Sequence, residues 1–324
     1  MIDSETVFII GAGANIPFGY PTGSKLRQTI IEKLQYLCKR ISKDERSRDH
    51  LLGQASELSK AFKASSTQSI DLFLSRNPPL EDIGKKAIIL SILWYEEQSK
   101  FREEVLEPNQ DWYSYLFHRM TSDIDIPNGW KEFKNNKVSF ITFNYDRSLE
   151  HFFHESLTHS FSAANETEIS KQIQSIPIHH VYGKTCLLPW ESNGDQIKIP
   201  YLSTNKEALN LAFANKTINR LKANIKIINE RSEVAIQPLI QCIKKAKNLF
   251  LLGFGFATEN IEILKLNSIL NQDQNIYGTA MGFLDNEKSK VRETLMNNFK
   301  VKDPRLNNPR IEQTDCLTLL RKYL

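Results

Sequence analysis

Along this chain, short runs of apolar, β-branched and aromatic residues alternate with stretches whose apolar positions fall three or four apart, which predicts strands separated by helices. The first run, Val7, Phe8, Ile9 and Ile10, passes straight into a glycine turn at Gly11 and Gly13. Leu26, Ile30, Ile31, Leu34 and Leu37 then follow at helical spacing, with Ser24 placed to cap a helix over 24–40. Residues 43–49 read as a solvated loop. From 51 to about 130 the pattern is helical throughout (54–64, 70–74, 86–105 and 112–120), with breaks at Asn77-Pro78-Pro79, Pro108-Asn109 and Pro127-Asn128-Gly129. Strands are expected again at 138–143, 176–182, 225–228, 248–252, 275–283 and 310–313. Helices are expected at 147–155, 165–174, 206–220, 236–246, 261–270, 287–299 and 316–324. A long loop is expected over 184–204.

Such alternation implies an α/β fold, a Rossmann-like doubly wound and mostly parallel sheet. We read residues 1–324 as a single nucleotide-binding domain with a helical insertion over 40–135. In this architecture ligands sit at the carboxyl ends of strands. The polar and glycine-rich clusters 11–15, 144–146, 180–183 and 253–255 all fall there. The glycine turn itself reads as a phosphate cradle, because glycine lets backbone approach a ligand and a helix start presents free amides to an anion.

Composition narrows the class only a little. With 40% hydrophobic and 25% charged residues, no apolar run approaches the ~20 residues of a membrane-crossing helix. A strand so close to the first residue leaves no room for a signal peptide, so a cytoplasmic location is expected. The net charge of +4 carries no basic block of the kind that binds nucleic acid. Cys38, Cys186, Cys242 and Cys316 are too far apart for a zinc knuckle or a disulfide framework, so no metal is expected.

Alone, Gly11-x-Gly13 is a weak signal. A hydride-transferring Rossmann enzyme would place a third glycine at position 16, which is Ile16, and an acidic residue about twenty positions on after a second strand. For Asn144 and Asp146 the competing reading is an Asx turn capping the next helix. The ordered set is more specific. Gly11-Ala12-Gly13, Gly19-Tyr20-Pro21-Thr22, Ser69-Ile70-Asp71, Thr142-Phe143-Asn144-Tyr145-Asp146, a histidine-bearing strand ending in glycine, and Leu252-Gly253-Phe254-Gly255-Phe256 together resemble the sirtuin-like NAD hydrolases. The branch they resemble belongs to bacterial anti-phage defence systems, and the likeness spans nearly the whole chain.

That resemblance implies roles. The backbone of Gly11, Ala12, Gly13 and Ala14 would hold the NAD pyrophosphate, and Asn15, where the family has serine, could still reach a phosphate or ribose. Asn144 would sit by the nicotinamide ribose, orienting its hydroxyls or the attacking water, and Asp146 would face the carboxamide. Gly253 and Gly255 would lie under the adenosine half. The family's catalytic histidine position is Tyr182 here. A strand's period of two puts His180 on the face of Tyr182 and turns His179 away, which makes His180 the candidate general base and Tyr182 a pocket residue. The competing reading makes His180 an ordinary hydrogen-bonded histidine.

The zinc-binding cysteine pairs of sirtuin deacylases are missing, which favours NAD hydrolysis, with nicotinamide and an ADP-ribose product released. By the same resemblance, the protein would be the toxic effector of abortive infection, held in check by a homo-oligomeric switch or by a ring-forming ATPase or DNA-translocase partner. A non-catalytic sensor of NAD or an ADP-ribose derivative, and an NAD-dependent protein deacylase, stay open.

Overall fold

The computed structural model describes residues 1–41, 45–98, 111–122, 129–161, 165–192, 196–205, 207–230, 233–299 and 308–324. The Pro108-Asn109 break, the Pro127-Asn128 dipeptide, and the part of the expected 86–105 helix beyond 98 lie outside them. Six strands, β1 (Thr6–Ile10), β2 (Val138–Thr142), β3 (Ile178–His180), β4 (Asn248–Leu252), β5 (Asn275–Thr279) and β6 (Arg310–Glu312), pair into one sheet of order β3-β2-β1-β4-β5-β6. Every pairing is parallel. This is the Rossmann-like doubly wound sheet expected from the alternating pattern. Its order reverses between β1 and β4, and a crevice opens at the carboxyl ends of strands at such a point.

β1 and β4 carry unbroken apolar runs after their first residues, and β2 carries one interrupted by Ser139, because helices cover both faces of a parallel sheet. Phe8 stacks between its register partners Phe140 and Phe250, with centroids 5.2 and 5.3 Å away. Tyr277 extends the aromatic row, 5.0 Å from Phe250.

Between β1 and β2 the described residues form helices α1 (Gly23–Ile41), α2 (Glu45–Ala64), α3 (Ile70–Ser75), α4 (Glu81–Glu97) and α5 (Trp112–Thr121), and no strand. The face of α1 that carries Leu26, Ile30, Leu34 and Leu37 is buried, as its spacing predicts. The cap differs from expectation: Thr22, not Ser24, accepts the Lys25 amide, at 3.2 Å. The stretch 45–49, read as loop, is the first turn of α2. Helices α6 (Ser148–Ser160) and α7 (Glu166–Gln174) lead to β3, and α8 (Ala208–Ala212), α9 (Asn215–Leu221) and α10 (Glu233–Lys245) lead to β4. Then α11 (Thr258–Ile263) and α12 (Leu266–Ile269) precede β5, α13 (Asp285–Leu295) precedes β6, and α14 (Cys316–Tyr323) follows it.

Two expected strands are corrected. The stretch 225–228 is not a strand: the Lys226 amide donates to the Tyr182 carbonyl at 3.0 Å, beyond the end of β3, and no ladder forms. The strand expected over 176–182 stops at His180, where the chain turns and the Gly183 amide bonds back to the His180 carbonyl at 3.2 Å. Gly183 has φ +78, and a Cβ there would lie 1.8 Å from the Asn224 carbonyl oxygen. No helix among the described residues is long and apolar enough to cross a membrane.

Candidate functional site

At the reversal between β1 and β4 lies a cleft of about 360 Å³, within the size range of small-molecule sites. Its wall draws on the ends of four neighbouring strands. Gly11, Ala12 and Gly13 follow β1, Asn144 and Asp146 follow β2, Tyr182 follows β3, and Gly253 and Gly255 follow β4. The sheet therefore gathers the separate sequence clusters at one edge, which the parallel order requires of residues at equivalent strand ends.

The two glycine turns need each other before they need a ligand. A Cβ on Gly11 would lie 2.5 Å from the Gly253 carbonyl oxygen, and one on Gly253 would lie 1.9 Å from the Ala14 amide nitrogen. Gly253 also adopts φ +54, which side-chain-bearing residues rarely reach. Gly255, at φ +70, has open space where a Cβ would be.

This contact corrects the expected cradle. The Gly11 amide donates to Leu252 at 2.9 Å, Gly13 to Gly253 at 3.1 Å, and Ala14 to the Gly11 carbonyl at 3.1 Å. Three of the four amides are thus engaged within the protein, and the fourth belongs to Ala12, a residue of the cleft wall. Ala14 is fully buried off the wall, its carbonyl accepting the Trp112 indole at 2.8 Å. Instead of an α-helix start, the turn runs into a 3-10 helix, Ala12–Phe18, and α1 begins only after Gly19 and the proline that follows.

Asn15 is likewise committed. Its Nδ2 donates to both Asp146 carboxylate oxygens at 3.0 Å, and its Oδ1 accepts the Tyr113 hydroxyl at 3.1 Å. Asp146 also takes the Ser148 amide at 3.1 Å and the Ser148 hydroxyl. This is the Asx-turn geometry at the head of α6, the alternative weighed above. Burial pushes the Asp146 carboxyl above its ordinary value, against the hydrogen bonds from Ser148, the charge of His180 and the bond from Asn15.

Asn144 presents a different situation. Its Nδ2 donates to the Gly11 carbonyl at 3.3 Å, which fixes the orientation of the amide. The remaining Oδ1 is buried and has no hydrogen-bond partner, in a residue 7% exposed on the cleft wall. A buried acceptor left unmatched costs about 1–3 kcal/mol, so its persistence points to a donor supplied from outside.

His180 does not reach the cleft. Its Nδ1 lies 3.0 Å from the Asn144 carbonyl oxygen and its Nε2 lies 2.8 Å from Glu150 Oε1. Burial raises the Glu150 carboxyl, but the charges of Lys184 and then His180 overcome it and hold Glu150 well below the usual carboxylate range. Both ring nitrogens therefore sit against protein oxygens, and His180 is not among the residues of the cleft wall. With both nitrogens engaged by the protein and the ring off the cleft wall, His180 is not placed for the general-base role expected of it. The cause is the early end of β3, since the period of two cannot carry past His180 to Tyr182. Tyr182 is where a pocket residue was expected, its hydroxyl donating to Asn260 Oδ1 at 3.0 Å.

One residue without an assigned role joins the site. Asp71, 7% exposed in the first turn of α3, lies on the cleft wall and accepts the Tyr145 hydroxyl. Ser69 caps this helix by accepting the Leu72 amide at 3.3 Å. The Ser69-Ile70-Asp71 motif held the signal, but spacing alone could not bring α3 over the ends of β1 and β2. Among the described residues no cluster of histidine, cysteine and carboxylate side chains forms a metal site.

Compared with protein-family models, the chain matches none, and a search of curated proteins finds no match.

Proposed function

We propose that the cleft binds NAD and cleaves its nicotinamide–ribose bond, releasing nicotinamide and an ADP-ribose product. The observation that carries this reading is Asn144 Oδ1, a buried acceptor without a partner, held rigid by Gly11 at the switch point of a Rossmann-like sheet. Breaking the bond builds positive charge on the ribose. A fixed neutral amide oxygen can hold a ribose hydroxyl or the attacking water without competing for that charge. His180 is off the cleft wall, whose carboxylates are Asp71, Asp146 and Glu259. The anionic half of the nucleotide would have the Ala12 amide and the hydroxyls of Thr22 and Ser69, all on the wall.

By its motif resemblance, this NAD hydrolase would serve as the toxic effector of a cytoplasmic anti-phage defence system, released by an oligomeric switch or a ring-forming ATPase or DNA-translocase partner. The position of His180 off the cleft wall gives a second reading support, a sensor that binds NAD or an ADP-ribose derivative without turnover. A fluorogenic NAD analogue, incubated with the protein alone and with candidate partners, separates them. Turnover that falls at least about a hundredfold in Asn144→Ala supports the enzyme. Turnover indifferent to that substitution sinks the site, and binding without turnover under every condition selects the sensor.

A further inference from the structure

None of the described residues lining the cleft is lysine, arginine or histidine, while Asp71, Asp146 and Glu259 all lie on its wall. A site built only for the phosphates of a nucleotide would show the opposite balance. Beside Asp71 the wall is aromatic. The Tyr145 ring, whose hydroxyl bonds Asp71, lies 5.9 Å from Tyr182, and Phe143 lies 5.7 Å from Tyr182. Aromatic faces flanking a carboxylate form the usual surroundings of an organic cation, because ring quadrupoles and a negative charge both attract a flat positive group. The unmatched Asn144 oxygen on the same wall independently marks the space as one that a ligand fills.

We infer that Asp71, positioned by Tyr145, is the counter-charge that makes this cleft select a positively charged pyridinium ring, and so the oxidised over the reduced pyridine nucleotide. This rests on the NAD reading for the identity of the whole ligand, but not for the charge of its ring. NAD and its reduced form differ at the ring by that charge and by planarity. The preference therefore belongs to the residues around the ring, not to the phosphate turn.

The test is calorimetric titration of the wild-type protein and the isosteric Asp71→Asn variant with NAD, NADH, 1-methylnicotinamide and neutral nicotinamide. The wild-type protein is expected to bind each cationic probe about tenfold or more tightly than its neutral counterpart. In Asp71→Asn both ratios fall toward one, chiefly by weaker binding of the cations. Tyr145→Phe, which keeps the carboxylate, retains most of the preference. Equal affinity of the wild-type protein for both members of each pair overturns the proposal, as does an unchanged ratio in a folded Asp71→Asn protein. If Asp71→Asn does not fold, the wild-type ratios and their decline with added salt decide it. Preference for 1-methylnicotinamide with no affinity for either dinucleotide would retain the ring site and remove the NAD reading. No binding of any probe removes both.

Discussion

At the scale of single residues, Asn144 carries the one buried side-chain atom without a partner among the described residues of the cleft wall, while His180, off that wall, has both ring nitrogens engaged. His180 is satisfied, and its loss should register as stability. Removing the ring leaves Glu150 buried with Lys184 as its remaining ionic partner, at 2.9 Å. By leaving the Asn144 carbonyl and Glu150 Oε1 without these hydrogen bonds, His180→Ala should cost about 1–3 kcal/mol in chemical denaturation. Because His180 lies off the cleft wall, the pH–rate profile for NAD cleavage by a folded His180 variant should keep the wild-type shape. An inflection that vanishes in that variant would restore the histidine as base. His151 gives a separate pH signature. It stacks on Tyr201 at 3.9 Å, and burial, assisted by the Arg147 charge and opposed by Glu155, lowers it from 6.5 to about 4. A folded value below the unfolded one stabilises the protein above pH 6.5, and that stability is lost as pH falls from 6.5 toward 4. The loss amounts to about 3 kcal/mol. His151→Phe, which keeps a stacking ring, should flatten the unfolding free energy across that window.

At the scale of elements, the meeting of the turns after β1 and β4 places the cleft. Gly253→Ala would force a Cβ to 1.9 Å from the Ala14 nitrogen in a left-handed conformation and should prevent folding. Gly255→Ala shares the left-handed conformation but meets open space, so it should fold at a cost of about 1–2 kcal/mol. Circular dichroism melts of the two variants distinguish these outcomes, and equal damage would contradict the close-packed crossing. This crossing also shows what sequence can disclose. The apolar runs at β1, β2 and β4 were legible because a sheet covered on both faces leaves continuous hydrophobic strands. The clustering of 11–15, 144–146 and 253–255 followed from parallel order. The end of β3 was not legible, because it is set by Gly183 packing against Asn224, forty-one residues away. Nor was the internal use of the Gly11 and Gly13 amides, since a glycine turn reads alike whether its amides face a phosphate or another turn. Asp71 entered the site through the packing of α3, for which no spacing rule exists.

At the scale of the whole molecule, the chain after β3 is tied down by a buried ion pair. Arg147 and Glu96, both fully buried, pair at 2.6 Å, and Arg147 also donates to the carbonyls of Leu187 and Pro200 at 3.0 Å. Glu96 accepts the Leu202 amide at 2.9 Å. The pair thus joins α4 of the β1–β2 helices, the start of α6 and the chain between β3 and α8. Glu96→Gln, which leaves a buried guanidinium short of its counter-charge, should cost about 3–5 kcal/mol in chemical denaturation. The same unity bears on function, because the walls of one cleft come from the sheet ends and from helices inserted between β1 and β2. The claim that this cleft holds a pyridine nucleotide through Asn144 is tested most directly by calorimetric titration of NAD into the wild-type protein and Asn144→Ala, which does not depend on any activating partner. The account predicts one site per chain in the wild-type protein and at least about tenfold weaker binding in a variant that melts within a few degrees of it. No measurable binding to the wild-type protein, or equal affinity in the two proteins, would contradict it.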